Sequence, residues 1–316
     1  MNQHQKQLLK LQLKSAIIED NFPLELQLQY LQQLATVKLN QLLQYEKNSK
    51  QTTVKIYTRQ DLIACAVDHV ITEALQLLLN QDQFQVTCYY QEGDYIKKNQ
   101  DLCQIQAPVA VILILERVIL NFIQTLSAVA TKVKSYVSKI QGLLAINGQP
   151  IKITDTRKTI PNLRILEKYA VLVGGGYNQR LGLYDAILIK ENNIKNFSDI
   201  TSAIKFYQQQ TALLNKNNYW HSPYDIQVEV NNLQDLKQVL TTPIDMILLD
   251  NMSVAEVSTA IQILKSTPFD HNIELEVSGD INYYNIVDYA QTGVHRISIG
   301  DLTKNINAIN LSMLVQ

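Results

Sequence analysis

The sequence is short of glycine, cysteine and tryptophan, and it has no excess of either charge. Its 316 residues include only 10 glycines, so the places where glycine clusters carry information. Apolar residues make up 46% and charged residues 18%, a balance typical of globular proteins. The formal net charge of −1 gives no overall attraction to nucleic acid or to an anionic membrane. Anion recognition must therefore come from a local pocket, and we expect neither nucleic acid nor a membrane as a partner.

The three cysteines cannot all pair within one chain, and none stands in a C-x-x-C spacing: Cys65, Cys88 and Cys103. This favours reduced, mostly buried thiols over a zinc or catalytic role. The first residues lack the apolar core of a signal peptide. The most apolar run, residues 109–115, is too short to span a bilayer and is followed at once by two charged residues. We therefore expect a cytoplasmic protein.

The first part of the chain is predicted to combine amphipathic helices with short strands. Residues 1–45 carry leucine and isoleucine at helical spacing, which predicts helices that pack on the body or on a partner subunit. A glutamine-rich interaction tail is the alternative. Residues 53–106 mix β-rich runs with one helical stretch near residues 71–79. We predict an α+β domain over residues 1–115, to which an element from the C-terminus is able to return.

From residue 116 onward, helical and extended patterns alternate. A helical stretch leads into a strand at 151–154, and a further helix is predicted to begin at Pro161, whose fixed φ suits a first helical position, and to end at the glycines 174–176. Recurring strands with intervening helices indicate a parallel sheet. Residues 116–316 are thus predicted to form an α/β barrel with its active site at the carboxyl ends of the strands. The later strands are predicted at 186–189, 226–230, 246–249, 273–277 and 296–299.

Four cations lie on, or just beyond, predicted strand or helix ends that face one side: Arg157, Lys158, Arg180 and Lys190. In a near-neutral protein such a group suggests a pocket for a polyanion. Arginine offers a planar fork for carboxylates or phosphates, and lysine a mobile point charge. Surface charges that are solvated independently are the alternative.

Acids and small residues follow other strands. Glu229 and Asp250 lie at or near the ends of two successive strands, where an inward carboxylate is able to hold Mg²⁺ on a diphosphate or to stabilise developing positive charge. A salt bridge to one of the four cations is the alternative. Ser278-Gly279-Asp280 and Ser298-Ile299-Gly300 follow the last two strands, where small residues let backbone N–H groups approach a phosphate. The histidines show no metal-ligand spacing, so none is assigned a catalytic role.

The run Asp155-Thr156-Arg157-Lys158-Thr159 is the most specific motif in the chain. Together with its surroundings it resembles the nicotinate-nucleotide pyrophosphorylase family, also called quinolinate phosphoribosyltransferase. The resemblance extends from about residue 90 to the C-terminus, whereas the first 80 residues match poorly. Other matching stretches are 116–117, 174–180, 182–185, 189–190, 228–230, 249–251, 278–279 and 289–294.

The resemblance implies an open α/β barrel with an N-terminal α+β sandwich domain, working as a homodimer. It implies phosphoribosyl transfer from phosphoribosyl pyrophosphate to quinolinate, with decarboxylation and with Mg²⁺ as cofactor, giving nicotinate mononucleotide in NAD biosynthesis. Arg157 and Arg180 would hold the two quinolinate carboxylates, and Arg117 would be shared across the dimer interface.

The resemblance also implies roles for the remaining charged residues. Lys158 and Lys190 would serve the pyrophosphate and the developing charge. Glu229 and Asp250 would favour the ribosyl oxocarbenium-like state and bind the metal. No covalent nucleophile is needed, because positioning and electrostatics suffice. The phosphate loops would be formed by Ser278, Gly279 and Gly300.

The departures from the family's pattern are numerous, and four of them bear most directly on the expected site. Gln179 and Asn193 stand where the family has histidine, and Asp280 and Asp301 stand where it has glycine and alanine beside the phosphate. A carboxylate about 4 Å from a phosphate is repelled by roughly 4 kcal/mol at an effective dielectric constant near 20. The amides motivate one alternative, a related transferase with a changed pyridine-like acceptor. The acids motivate another, a non-catalytic paralog that binds an anion or serves as a structural or regulatory partner.

Overall fold

A computed structural model of the chain divides into two compact units, each built from more than one segment. The first unit comprises Met1–Lys132, Ile165–Gly174 and Ile306–Gln316. The second comprises Val133–Arg164 and Gly175–Asn305. The structure describes residues 1–21, 27, 50–183, 186–216, 226–267 and 273–316. The helical pattern predicted beyond residue 21, in the run of leucines at 24, 28, 31 and 34, lies outside the described residues.

Twelve strands and ten α-helices are numbered here along the described chain. The strands are β1 Gln51–Thr58, β2 Leu62–Ile63, β3 Gln85–Cys88, β4 Tyr95–Ile96, β5 Asp101–Pro108, β6 Lys152–Thr154, β7 Ile187–Ile189, β8 Ile226–Val230, β9 Met246–Asp250, β10 Glu274–Ser278, β11 Arg296–Ser298 and β12 Leu311–Val315. The helices are α1 Gln3–Asn21, α2 Val67–Gln76, α3 Val109–Lys139, α4 Arg164–Val173, α5 Glu191–Ile194, α6 Ile200–Lys216, α7 Leu233–Val239, α8 Val254–Ser266, α9 Ile286–Gln291 and α10 Asp301–Lys304.

The first unit is built on a four-stranded antiparallel sheet in the order β12-β1-β5-β3. Strand β1 buries every second residue, Val54, Ile56 and Thr58, as expected for a strand with one face on a core. The last strand of the chain completes this sheet, because β12 pairs with β1 in the register Thr58↔Leu311. A shorter ladder joins β2 and β4.

Helix α3 is much longer than the sequence predicts. It begins at Val109 rather than at residue 116, so the apolar run 109–115 forms its first turns, and the predicted domain boundary falls inside it. By length and composition this helix is able to cross a membrane, yet half of its most apolar stretch is buried within the protein. The core helix of a globular protein has the same properties, and Leu115, Ile119 and Leu126 are fully buried here.

The second unit contains the predicted parallel sheet, with six strands in the order β6-β11-β10-β9-β8-β7. All five pairings are parallel, and β6 and β7 form the edges of this open barrel. The first four residues of β9 are all buried, which a sheet covered on both faces requires. The fold class predicted from the alternating pattern, an α/β protein with an α+β N-terminal part, is confirmed.

The predicted start of helix α4 is wrong by three residues. Residues 161–163 form a turn, and the helix begins at Arg164. Asn162 has a φ of 65°, a left-handed conformation that a right-handed helix cannot include. Pro161 therefore belongs to the turn, while the helix ends before the three glycines, as predicted.

Candidate active site

A pocket of about 640 Å³ lies at the carboxyl ends of the parallel strands in the second unit. It gathers every predicted site residue of that unit. The residues that line it are Thr156, Arg157, Lys158, Gln179, Arg180, Leu188, Lys190, Glu229, Leu248, Asp250, Asn251, Ser278, Gly279, Asp280, Ile281, Asn282, Ser298, Gly300, Asp301 and Lys304.

The segment after β6 is held by a buried carboxylate and by main-chain bonds. Asp155 is fully buried, and its Oδ1 accepts a hydrogen bond from the backbone N–H of Gln179 at 2.8 Å. Tyr177 lies against β6, since its N–H donates to the carbonyl of Ile153 at 2.8 Å. The strand end and the glycine-rich loop are thereby fixed side by side, which brings Arg157 and Arg180 to one pocket.

The two arginines are anchored differently. Arg180 donates from Nη1 to the carbonyl of Ala186 at 2.9 Å, which fixes the direction of its guanidinium. Arg157 is half-buried, and the described residues give its buried Nε no hydrogen-bond partner. Buried donors are normally paired, which makes this N–H a candidate donor to a ligand oxygen. Arg164, for which the sequence indicates only a surface or ion-pair role, donates to the carbonyl of Arg157 at 3.4 Å and to Thr159 Oγ1 at 3.1 Å.

The salt bridge that the sequence left as an alternative is present: Lys190 Nζ contacts the carboxylate of Glu229. The Glu229 side chain is 10% exposed and that of Lys190 is 49% exposed, so the acid lies deeper than the base. Asp250, at the end of the next strand, accepts from Asn251 Nδ2 at 2.8 Å. The pocket therefore contains these two acids among its cations: Glu229, which is neutralised by Lys190, and Asp250, which is bound to a neutral amide.

The described residues contain no group of three His, Cys, Asp or Glu side chains close enough together to hold a metal ion. Glu229 and Asp250 can thus supply two carboxylates at most. Mg²⁺ is usually bound through one or two carboxylates, with the remaining ligands coming from substrate phosphates and water. The two acids fit a metal that arrives with a diphosphate.

The loops after β10 and β11 need their glycines. Gly279 has a φ of 131°, and a Cβ there would lie 2.6 Å from Oδ1 and 3.0 Å from Cα of Asn251. A Cβ at Gly300 would lie 2.9 Å from Cδ of Lys158. These glycines let the Asn251 segment and the Lys158 stem pass closely, and phosphate binding by the two loops stays a prediction.

The two unexpected acids differ in their surroundings. Asp301 accepts from Asn305 Nδ2 at 2.6 Å and from the hydroxyl of Tyr136 at 3.4 Å, so both carboxylate oxygens have partners in the wall. Burial, reinforced by Asp301, raises the pKa of Tyr136 to about 12, which keeps it a donor. Asp280 is exposed at the pocket rim. Of these two acids, Asp280 is the more exposed.

Sequence reasoning missed a polar group beneath the pocket. Glu276 on β10 is fully buried and accepts from Ser298 Oγ at 2.6 Å, Gln227 Nε2 at 3.0 Å and Gln179 Nε2 at 2.5 Å. Burial raises the pKa of the Glu276 carboxyl group above its ordinary value, although the three donors and the positive charge of Arg296 act in the opposite sense. The only signal in the sequence is that Glu274 and Glu276 alternate with apolar residues. Because both acids show this pattern, it does not distinguish Glu276 from Glu274.

Arg117 is the predicted site residue that lies in the first unit. It is on helix α3, its side chain is 69% exposed, and it contacts Glu116 Oε1 at 3.4 Å. An exposed arginine of this kind is available to another surface. Its contribution across a dimer interface stays a prediction.

The fold and the site together define an α/β-barrel protein of the phosphoribosyltransferase type. The family model for the quinolinate phosphoribosyl transferase C-terminal domain matches residues 129–314, and that for the N-terminal domain matches residues 34–127. The chain belongs to the quinolinate phosphoribosyltransferase family. The match to the N-terminal domain covers part of the region in which the motifs alone gave little resemblance.

Individual relatives agree with the family models. A probable nicotinate-nucleotide pyrophosphorylase (carboxylating) of Bacillus subtilis is 36% identical over 244 residues, which are 77% of each chain. The nicotinate-nucleotide pyrophosphorylase structure from Francisella tularensis is 34% identical with a TM-score of 0.78, covering 98% of this chain and 97% of the other. That from Ehrlichia chaffeensis is 34% identical with a TM-score of 0.72, covering 85% and 89%.

Proposed function

We propose that the protein is a pentosyltransferase that joins quinolinate to phosphoribosyl pyrophosphate. The products are nicotinate mononucleotide, carbon dioxide and pyrophosphate, a step of NAD biosynthesis. One observation carries the proposal: four cations and two acids, far apart in the sequence, line a single pocket at the carboxyl edge of the barrel. Such a site binds two anionic substrates that meet at a cationic sugar carbon.

The acceptor is bound by the arginines. Arg157 and Arg180 each pair with one carboxylate of quinolinate, since a guanidinium matches the planar geometry of a carboxylate. The anchored Nη1 of Arg180 and the available Nε of Arg157 set the ring at a fixed angle. The ring nitrogen is then held facing the ribosyl carbon, which is the main contribution of positioning to the rate.

The transfer is stabilised by charge. As the bond to pyrophosphate breaks, the ribosyl carbon becomes cationic, and the carboxylates of Glu229 and Asp250 favour that state. Lys158 binds the departing pyrophosphate. Lys190, which is paired with Glu229, stabilises the negative charge that develops on that leaving group. Glu229 and Asp250 also hold Mg²⁺, which neutralises pyrophosphate charge when bound. Ser278, Gly279 and Gly300 bind the phosphate groups through loops that approach closely.

Decarboxylation follows from the new bond. Once the ring nitrogen is joined to the sugar it is positive, and the ring accepts the electron pair left by the departing carbon dioxide. A proton then takes the place of the lost carboxylate. The pocket cations need only keep the ring oriented while this occurs, and no protein nucleophile is used.

We further propose a cytoplasmic homodimer in which Arg117 of one subunit reaches the other's acceptor site. The exposure of Arg117 supports this arrangement. The net charge of −1 supports the expectation that neither nucleic acid nor a membrane is a partner.

The direct test is turnover by the purified protein. With quinolinate, phosphoribosyl pyrophosphate and Mg²⁺ we expect nicotinate mononucleotide, carbon dioxide and pyrophosphate in equal amounts. Chelation of the metal with EDTA should abolish the reaction, and added Mg²⁺ should restore it. Absence of product at every substrate and metal concentration contradicts the proposal.

A transferase with a changed pyridine-like acceptor is the second candidate. It is favoured by Gln179, which places an amide in the acceptor side of the pocket. Asn193 carries less weight, because its Oδ1 is used to accept the N–H of Lys190 at 3.0 Å. A screen of heterocyclic acids separates the candidates: tight binding of another acid and weak binding of quinolinate would favour the second.

A further inference from the structure

The inner face of strand β10 carries two carboxylates with opposite environments. Glu274 and Glu276 are two residues apart and therefore point to the same side of the sheet. Glu274 is paired with two cations, Lys152 at 2.8 Å and Arg296. Although burial opposes it, these partners lower the pKa of Glu274 below its ordinary value. Glu274 is thus a half-buried acid of an ion-pair network.

Glu276 is bound differently. It has no exposed surface, and each of its three hydrogen-bond donors is neutral: the hydroxyl of Ser298 and the amides of Gln227 and Gln179. A carboxylate buried without a directly paired cation costs stability. Such groups concentrate at functional sites, where the cost serves another purpose than stability. The group of interest is therefore the side chain that this carboxylate binds at the pocket wall, Gln179.

Glu276 fixes the conformation of a side chain that lines the pocket. The backbone N–H of Gln179 is bound to the buried Asp155, and its side-chain Nε2 is bound to Glu276 at 2.5 Å. An ionised carboxylate only accepts hydrogen bonds, so the amide must turn its NH₂ group and not its oxygen toward Glu276. The carboxylate therefore sets which end of the Gln179 amide points inward.

We propose that Glu276 is a positioning residue for the acceptor subsite, which acts through Gln179 by fixing the orientation of its amide beside the arginines. The inference rests on the proposed function, because the acceptor it positions is quinolinate. Glu276 itself touches neither substrate. The proposed role is the one that acts through Gln179 on the acceptor, and the same carboxylate also accepts a hydrogen bond from Ser298 Oγ in the pocket wall.

The test is Glu276→Gln, with Glu274→Gln as the matched control on the same strand and face. The new amide at position 276 is able to donate as well as accept, so Gln179 is no longer held in one orientation. We expect the KM for quinolinate to rise about tenfold, the size of one hydrogen bond, with kcat and the KM for phosphoribosyl pyrophosphate unchanged within about twofold. The melting temperature should stay the same or rise, since a buried charge is removed. Glu274→Gln should lower the melting temperature and leave both KM values unchanged.

A second variant restores the lost complementarity. Glu276→Gln combined with Gln227→Glu gives the new amide a carboxylate partner on strand β8, whose Gln227 side chain already bonds position 276, so the amide oxygen faces Gln179 again. We expect the KM for quinolinate to return toward the wild-type value. An unchanged KM in Glu276→Gln, or no recovery in the double variant, overturns the inference.

The wild-type enzyme separates the two proposals. If it makes no nicotinate mononucleotide, the proposed function fails whatever the variants do. In that event calorimetric titration of wild type and variants with quinolinate itself still tests Glu276, with the Kd taking the place of KM. If wild type is active and the variants match it, only the role of Glu276 fails.

Discussion

Arg157 and Arg59 carry the same guanidinium in two different settings. Arg157 lines the pocket with an available Nε, whereas Arg59 lies on the surface of the first unit and donates to Ser312 and Tyr57, each at 2.8 Å. Arginine is not replaceable by lysine where two parallel bonds to a carboxylate are needed. We therefore expect Arg157 to contribute to acceptor affinity through its shape as well as its charge.

We expect Arg157→Lys to raise the KM for quinolinate at least tenfold, about 1.4 kcal/mol, by loss of bidentate pairing. The KM for phosphoribosyl pyrophosphate should change little. Steady-state kinetics with each substrate varied in turn provides the measurement, with Arg59→Lys as the control that alters neither value. Equal changes in both KM values would show that Arg157 does not belong to the acceptor subsite.

Asp280 and Asp301 should respond differently to neutralisation. Asp280→Asn removes an exposed charge at the rim, and we expect it to tighten phosphoribosyl pyrophosphate binding roughly fivefold at low ionic strength, with the gain fading as salt screens the charge. Asp301→Asn should leave that affinity nearly unchanged, because its carboxylate is bound to Asn305 and Tyr136. Calorimetric titrations at two salt concentrations test both; a larger effect at position 301 would contradict the assignment.

The sequence predicted the cations and acids of the pocket because charge at strand ends is visible in a linear pattern. It did not predict Glu276, since Glu274 and Glu276 look alike in an alternating strand. The difference lies in their partners, two cations for one and three neutral donors for the other. Those partners come from other strands and loops, and their proximity is a property of the sheet register.

At the scale of elements, the junction of β10 and β11 depends on a neutral histidine. His295 precedes β11, and its Nδ1 accepts the backbone N–H of Leu275 at 3.0 Å. Burial lowers the pKa of His295 below its ordinary value; the negative charge of Glu274 opposes this shift, and the positive charges of Lys152 and Arg296 add to it. Protonation would convert this acceptor into a donor and break the bond.

The sign of the pH dependence follows from that lowered pKa. The contribution of His295 to stability is present above the ordinary pKa of about 6.5 and is lost as pH falls through the lower pKa of the folded state. We expect the unfolding free energy of wild type to fall below pH ~6.5 more steeply than that of His295→Asn, whose side-chain oxygen is able to accept the same N–H. Urea unfolding at several pH values measures this, with the exposed His4→Asn as control. Parallel curves for wild type and His295→Asn would exclude the effect.

Element types were predicted better than element ends. The strand at 226–230 was placed correctly, because an apolar run between turn signals is a local pattern. The predicted start of helix α4 is too early, because the sequence does not reveal the left-handed conformation of Asn162, whereas Pro161 favours a helix start. The predicted start of helix α3 is too late, because its first turns are so apolar that they show no helical periodicity.

At the scale of the whole molecule, β12 joins the C-terminal segment to β1 of the first unit. Leu311 and Leu314 both lie on this strand, but Leu311 is 5% exposed and Leu314 is 56% exposed. We expect Leu311→Ala to lower the free energy of unfolding by about 2–4 kcal/mol through loss of buried volume. Leu314→Ala should change it by less than about 0.5 kcal/mol. Urea denaturation of both variants tests this, and similar losses would mean that β12 does not seal the first unit's core.

The pairing of β12 with β1 could not be predicted from local patterns. It joins residues that are more than two hundred positions apart, Thr58 and Leu311, and no local signal specifies such a contact. The sequence supported the possibility of a returning C-terminal element but not its partner or its register. The α/β barrel is predictable because each βα unit has a local sequence pattern of its own.

The same pairing determines the order in which the two sheets are completed during protein synthesis. Every strand of the parallel sheet has been translated by residue 298, whereas the first sheet lacks its edge strand until Val315 leaves the ribosome. The unit that begins first in the sequence is therefore the one that is completed last. Until then β1 exposes an unpaired edge on the nascent chain, a surface that chaperones must shield or that pairs with the wrong strand.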